Sequence, residues 1–354
     1  MRSHFLLSQG VATACAVAGA ATLLNGNCSA QNPIAVDYAT NSTYGSGWSA
    51  GQNGGYGFGP WSMANTEATS PIEAAMDSTS PYNPFGVAWT IYNPEGSTPN
   101  PFSPVFSPGQ CVNPPTSTDI SRAGRAIPGG LQPGQTFSTV IANPIDRTYY
   151  RGYTIVLSTG SDNISYSKVG SQVEVGTFEN FTAGKWYTSE SYATGRTSLY
   201  DTDTTTNGMQ LDFTMTGTNT YHLVMTPVGN AEIAYSEDGT LKTNGVPNWV
   251  TYQLYNTDSN FYPDLAPCGP DRTDFYIQSM TISGLTLNIQ RLGTNVLLSW
   301  PGIFTNFNLV SSTDLDAPVW NLVSPLPSVV NGQNVVTNSI PGTAQRFYRL
   351  RFSQ

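Results

Sequence analysis

YGSGWSAGQNGGYGFGPW, residues 44–61, is the stretch whose reading decides the fold. Glycines alternate there with Trp48, Tyr56, Phe58 and Trp61. Glycine permits positive φ and close approach of one backbone to another, and aromatic rings bring large buried area at small entropic cost. The combination suits the first hairpin of a β-sandwich rather than a catalytic loop.

Outward from that block, turn residues recur every 8 to 15 positions, with apolar or aromatic runs between them. Strands are expected at 86–92 (GVAWTIY), 136–141 (TFSTVI), 153–158 (YTIVLS), 210–215 (QLDFTM), 220–226 (TYHLVMT), 248–254 (NWVTYQL) and 274–282 (DFYIQSMTI). Several alternate apolar with polar, as strands with one wet face do. Only the region from Asn65 to Met76 looks weakly helical. Short strands without helical crossovers predict an all-β fold, a jelly-roll sandwich rather than a parallel α/β sheet. The Pro-rich segment 93–118 cannot supply ladder donors and reads as an insertion loop.

After Gly284 the pattern restarts. Strands are expected at 285–291, 295–300, 307–311, 319–323, 335–340 and 346–352, with Asn331-Gly332 as a hairpin turn. Residues 285–354 thus form a small immunoglobulin- or fibronectin-III-like sandwich, with Trp300 and Trp320 read as its core. The main sandwich spans 31–284.

Composition narrows the function classes. Charged residues make up 10% of the 354, the net charge is −9, and aromatics reach 12%, which excludes a disordered polyelectrolyte. No basic patch interleaved with aromatics is evident, so nucleic acid is not an expected partner. Residues 1–30 read as an export signal: Arg2 and His4, an apolar stretch from Val11 to Leu24, and small residues Cys28 and Ala30 before Gln31. Fourteen apolar residues (11–24) are short for a membrane span, and no transmembrane segment is expected in the mature chain. The expected location is extracellular or at the cell surface, with the periplasm as an alternative. Cys111 and Cys268, the cysteines of the mature chain, are expected to form one disulfide, stabilising by roughly 4 to 5 kcal/mol through loop closure.

The sequence from Asp37 to Trp61, FGVAWTIYN, SRAGRAIPGGLQPGQTFS and DFYIQSMTISGL together resemble the concanavalin A/laminin-G-like sandwich domains of proteins exported by Planctomycetes and Verrucomicrobia. The C-terminal LLSWP, FNLVSSTDLDAPVW, VNGQNVVT and RFYRLR resemble the immunoglobulin/fibronectin-III-like repeat that such proteins often carry. The resemblance implies that the glycine-aromatic block opens the sandwich and that Gly134-Gln135-Thr136-Phe137 starts an inner strand. The chain ends in RLRFSQ, without the Pro-Glu-Pro motif, membrane helix and basic tail of the corresponding sorting signals.

Candidate chemistry is sparse. Gly47-Trp48-Ser49-Ala50-Gly51 matches G-x-S-x-G, but a nucleophile elbow needs a strand before the serine and a helix after it. His222, the one histidine of the mature chain, reads as a strand histidine, and with two cysteines presumed bridged a zinc site has too few ligands. Glu174 and Glu179 sit five apart and would face opposite sides of a regular strand, against the carboxylate pair of a jelly-roll glycoside hydrolase, which stands as the enzymatic alternative. Gly55–Gly59 lacks the following helix a phosphate cradle needs. Calcium is the candidate metal, with Asp201, Asp203 and Asn207 as oxygen ligands, while a second acidic loop (Asp258, Asp264, Asp271, Asp274) borders Cys268. Trp186, Tyr187, Tyr255, Phe261 and Tyr262 are the candidate sugar platforms. The expected role is non-enzymatic: an adhesive or structural exported protein whose first sandwich binds a glycan, a matrix or an envelope component.

Overall fold

The structure, a computed structural model, describes residues 15–17, 33–65, 74–80, 83–91, 120–142, 152–160, 171–178, 185–189, 197–201, 207–241, 245–255, 275–315, 318–339 and 346–353. Cys111, Cys268, Asp203, Phe261 and Tyr262 lie outside these residues. So do the insertion 93–118 and the whole of the second acidic loop, Asp258, Asp264, Asp271 and Asp274.

The fold is all-β, as expected, and is organised as two-sheet sandwiches. One sheet of the larger sandwich runs in the order β11 (Thr197–Asp201), β10 (Lys185–Ser189), β9 (Ser171–Phe178), β8 (Gly152–Ser158), β15 (Trp249–Tyr255), β6 (Ile120–Ala126), β3 (Trp61–Asn65). The other runs β14 (Tyr235–Thr240), β13 (Thr220–Pro227), β12 (Met209–Met215), β7 (Thr136–Ala142), β16 (Phe275–Ser283), β5 (Ala88–Ile91), β4 (Ala74–Asp77). Strand β2 (Ala35–Tyr38) joins this sheet beside the C-terminal half of β16, while β5 takes its N-terminal half. Strand β7 is an inner strand, as the resemblance implied. All the pairings are antiparallel, so each strand needs only one face apolar.

Period-two alternation explains the core. Tyr221, Leu223 and Met225 of β13 point inward, as do Leu211 and Phe213 of β12, and each is at most 2% exposed. From the opposite sheet come Tyr153, Ile155, Leu157, Val173, Val175, Val250 and Tyr252. Cross-sheet contacts tie the layers: the Tyr252 hydroxyl lies 2.8 Å from Thr139 Oγ1, and the Tyr153 and Phe275 rings are 4.9 Å apart. Burying aromatic side chains of this size contributes about 1.5–3 kcal/mol each.

The glycine-aromatic block is not a hairpin. Strand β2 belongs to one sheet and β3 to the other, and the intervening chain crosses between them. A one-turn 3-10 segment at Ser42–Tyr44, capped by Asn41, starts the crossing. The chain then comes back against β2 through a single bridge between Val36 and Tyr56. Most of its aromatics enter the core: Tyr44, Trp48, Phe58 and Trp61 are buried, and Trp89 completes the cluster at ring distances of 5.1–6.3 Å, whereas Tyr56 is 50% exposed. Gly55 is required by close approach, since a Cβ there would stand 1.9 Å from the Val36 carbonyl oxygen. Gly55 and Gly57 therefore serve packing on β2, and Gly59 packing on Ala126 of β6.

The weakly helical reading of Asn65–Met76 gives way at both ends. Asn65 closes β3, and Ala74–Asp77 is strand β4, paired with β5; residues 66–73 lie outside the description. Pairing at a sheet edge overrides the modest helix preference of Ala74, Ala75 and Met76.

A second cluster of buried residues begins at Leu285 and includes Trp300, Leu309, Tyr348 and Leu350. It lies between a sheet ordered β17 (Asn288–Leu292), β18 (Asn295–Pro301), β22 (Gln333–Ser339), β21 (Ser328–Val330) and one ordered β1 (Cys15–Val17), β23 (Arg346–Phe352), β19 (Phe307–Ser312), β20 (Asn321–Leu322). Asn331 (φ 48) and Gly332 (φ 72) make the two-residue hairpin turn between β21 and β22. Strand β1, within the segment read as an export signal, pairs Cys15–Val17 with Arg346–Tyr348. Trp300 is fully buried, but Trp320 is not a core residue: it is half-buried, outside the second cluster, beneath Arg349.

Candidate functional site

Strand parity defines the site. On the seven-stranded sheet, Ala123, Arg125, Tyr153, Ile155, Val173, Val175, Val250 and Tyr252 face the interior. Arg122, Gly124, Thr154, Glu174, Thr251 and Gln253 therefore project from the opposite face, and the register sets them in two rows. Arg122, Gln253, Thr154 and Gly176 are successive cross-strand neighbours, as are Gly124, Thr251, Val156 and Glu174. Each row spans about 14 Å, three strand spacings.

Outward positions of a sheet are normally wet, but these are enclosed. Arg122 is 3% exposed, Glu174 2%, Thr154 0%, Thr251 2% and Gln253 6%. Gln253 Oε1 is buried without a hydrogen-bond partner, a loss of about 1–3 kcal/mol unless something donates to it. At one end of the rows stands Trp249, half-buried at the start of β15. Its Nε1 lies 2.6 Å from where a Cβ on Gly124 would be, so the missing side chain lets the indole lie over the sheet. That N–H is buried and also lacks an acceptor. The arrangement brings together an indole edge with a free donor, an amide oxygen with a free acceptor and threonine hydroxyls. An aromatic body beside converging polar groups is the chemistry that holds a polyhydroxylated ring.

The sequence-predicted residues fall in several places. Register pairs Tyr187 with Gly176 and Ser189 with Glu174, which extends both rows onto β10, and Trp186 pairs with Thr177. Tyr255 ends β15, opposite Gly152 and Ile120. Asp201 ends β11 opposite Lys185, and Asn207 is exposed in the turn before β12. Among the described residues no group of three His, Cys, Asp or Glu side chains is placed to hold a metal ion. Ser49 lies in the crossing loop, its N–H donating to Gln52 Oε1 at 2.7 Å. His222 pairs across the ladder with Asp238, its Nδ1 2.8 Å from the carboxylate. Sequence reasoning missed Trp249, Arg122 and Gln253. The signal was the alternation in NWVTYQL, which shows two faces but not which one is the core.

No family profile and no curated protein matches this chain. Among solved structures, the carbohydrate recognition domain of Emp46p in its potassium-bound form aligns over 63% of this chain and 87% of that one, at 8% identity and a TM-score of 0.33. The metal-free form of the same domain aligns over the same shares at 7% identity and a TM-score of 0.32. No helix among the described residues is long and apolar enough to cross a membrane.

Proposed function

We propose that this is an exported, non-enzymatic adhesive or structural protein whose larger sandwich binds a neutral glycan on the outward face of the seven-stranded sheet. One observation carries the reading: the Trp249 indole lies over Gly124 with its N–H unbonded, beside a polar row in which Gln253 Oε1 is also unbonded. A sugar hydroxyl supplies both a donor and an acceptor, and a pyranose face packs on an indole.

A glycan array of the secreted chain, run with calcium and with chelator, tests it. Binding to a defined neutral sugar class is expected, with at least tenfold weakening in Trp249→Ala and a smaller loss in Gln253→Leu. Absence of binding in both buffers, or equal binding by Trp249→Ala, would overturn it. Calcium dependence would bring Asp201, Asp203 and Asn207 back into the site.

A second reading has its own support. Arg122, Thr154, Glu174, Thr251 and Gln253 are at most 6% exposed, as members of an internal polar network would be, and such a network suits an envelope component that binds no sugar.

A further inference from the structure

The second module gathers arginines. Residues 285–354 carry Arg291, Arg346, Arg349 and Arg351 against Asp314 and Asp316, in a chain of net charge −9. Three of the four sit on β23, RFYRLRF. Tyr348 and Leu350 point into the second core, so Arg349 and Arg351 share the outward face, about 7 Å apart along the strand.

The Arg349 guanidinium lies 4.1 Å from the centre of the Trp320 ring, which fixes its position on the sheet. Its Nε is buried with no acceptor. Among the described residues neither arginine has a carboxylate partner. Burial, and after it the like charge of Arg351, lower the Arg349 pKa from its usual value. Asn308 stands opposite Arg351 across the ladder, and Val310 opposite Arg349. Arg346, at the head of the strand, lines a polar cleft with Asn321, Asn338 and Ser312.

We propose that this face of the second module binds an acidic polysaccharide, with carboxylates or sulfates of neighbouring sugars pairing with Arg349 and Arg351 and a ring hydroxyl bonding to Asn308. Two guanidinium groups two residues apart on one face, with no carboxylate partner among the described residues, repel each other, and an anion relieves both. Arginine presents its donors as a planar fork that suits carboxylate and sulfate. The other polyanions fit less well. Arg349 already lies against the Trp320 ring, and Phe347 is buried, so among the described residues the face has no free platform for stacking bases. An anionic membrane surface calls for clusters of about four to eight basic residues.

The test is retention of the intact secreted protein on immobilised polyuronate and on a sulfated polysaccharide, in a salt gradient. A neutral glucan, an oligonucleotide and anionic phospholipid vesicles serve as comparisons. Retention on an acidic polysaccharide is expected, eluted by moderate salt. The Arg349→Gln/Arg351→Gln variant should bind at least tenfold more weakly, and Arg351→Lys should keep part of the affinity. Unchanged melting of the double variant shows that the fold is intact. Unchanged binding of any neutral glycan by that variant separates this site from the one around Trp249. Failure to bind either acidic resin, full binding by the double variant, or binding to oligonucleotide or vesicles alone would overturn the proposal.

Discussion

Arg125 and Asp37 meet in the middle of the larger sandwich, one from each sheet, and both side chains are completely buried. Arg125 also donates from Nε to the Gly59 carbonyl at 2.7 Å and from Nη2 to Asn53, both in the crossing block. Asp37 accepts from the Tyr44 hydroxyl, which in turn accepts from Trp61 Nε1 at 3.1 Å and from the Gly54 N–H at 2.9 Å. Phe58 and Trp61 lie with ring centres 5.2 and 4.9 Å from the guanidinium. The block is therefore wound around one buried cation.

Removing one partner of that pair leaves an uncompensated charge in the interior. Arg125→Met or Asp37→Asn is expected to cost about 3–5 kcal/mol, and the double variant less than the sum of the two. Urea denaturation of all four proteins measures this as a double-mutant cycle. Additive costs would show that the two side chains are not energetically coupled.

Gly55→Ala is expected to be among the most damaging single changes, because its Cβ meets backbone at 1.9 Å and neither chain can retreat. Gly86 (φ +74) has nothing within 4 Å, so Gly86→Ala carries only the backbone strain, on the order of 1 kcal/mol. Comparing the two melting temperatures separates collision from strain.

Stability should fall at high pH. Burial, and after it the Asp37 hydrogen bond, push the Tyr44 pKa from 10.0 to about 12, so the folded state holds that proton more tightly than the unfolded chain. The stabilisation is fully present below pH 10 and is lost as the pH rises from 10 towards 12. Tyr252, raised mainly by burial, acts in the same direction. Denaturation midpoints measured on either side of pH 10 should show the decline, and Tyr44→Phe should flatten it. An unchanged slope in Tyr44→Phe would assign the effect elsewhere.

At the β21–β22 turn, Asn331 holds φ 48. A branched residue tolerates that poorly, so Asn331→Val is expected to cost about 1–2 kcal/mol, whereas Asn331→Gly should change little. Thermal unfolding distinguishes the two.

The hairpin at Asn331-Gly332 was legible in the sequence because two adjacent residues determine it. Most expected strands were legible for a similar reason, since alternation within one segment reports burial of one face. What alternation cannot report is the partner. Whether Trp249 faces the core or the rows of Arg122 and Gln253 depends on which sheet closes over Val250 and Tyr252. The glycine-aromatic block showed its need for close packing but not its route, because β2 and β3 pair with β16 and β6, both distant in sequence. Trp320 misled in the same way: a tryptophan among strands fits a core, and only the position of β23 sets it beneath Arg349. The platforms expected at Tyr187 and Trp186 came from composition alone, and register gave Tyr187 its place at the end of a row.

Strand β16 imposes an order on biosynthesis. It joins β7 on one side to β5 and β2 on the other, yet it is completed only when residue 283 has been made. Until then three earlier strands have open edges and the larger sandwich cannot close. Pairing across such separations is slow, and open edges invite association between chains. A nascent chain arrested before Phe275 should therefore be sensitive to protease and dependent on holding chaperones, and one extended past Ser283 should acquire resistance in a single step.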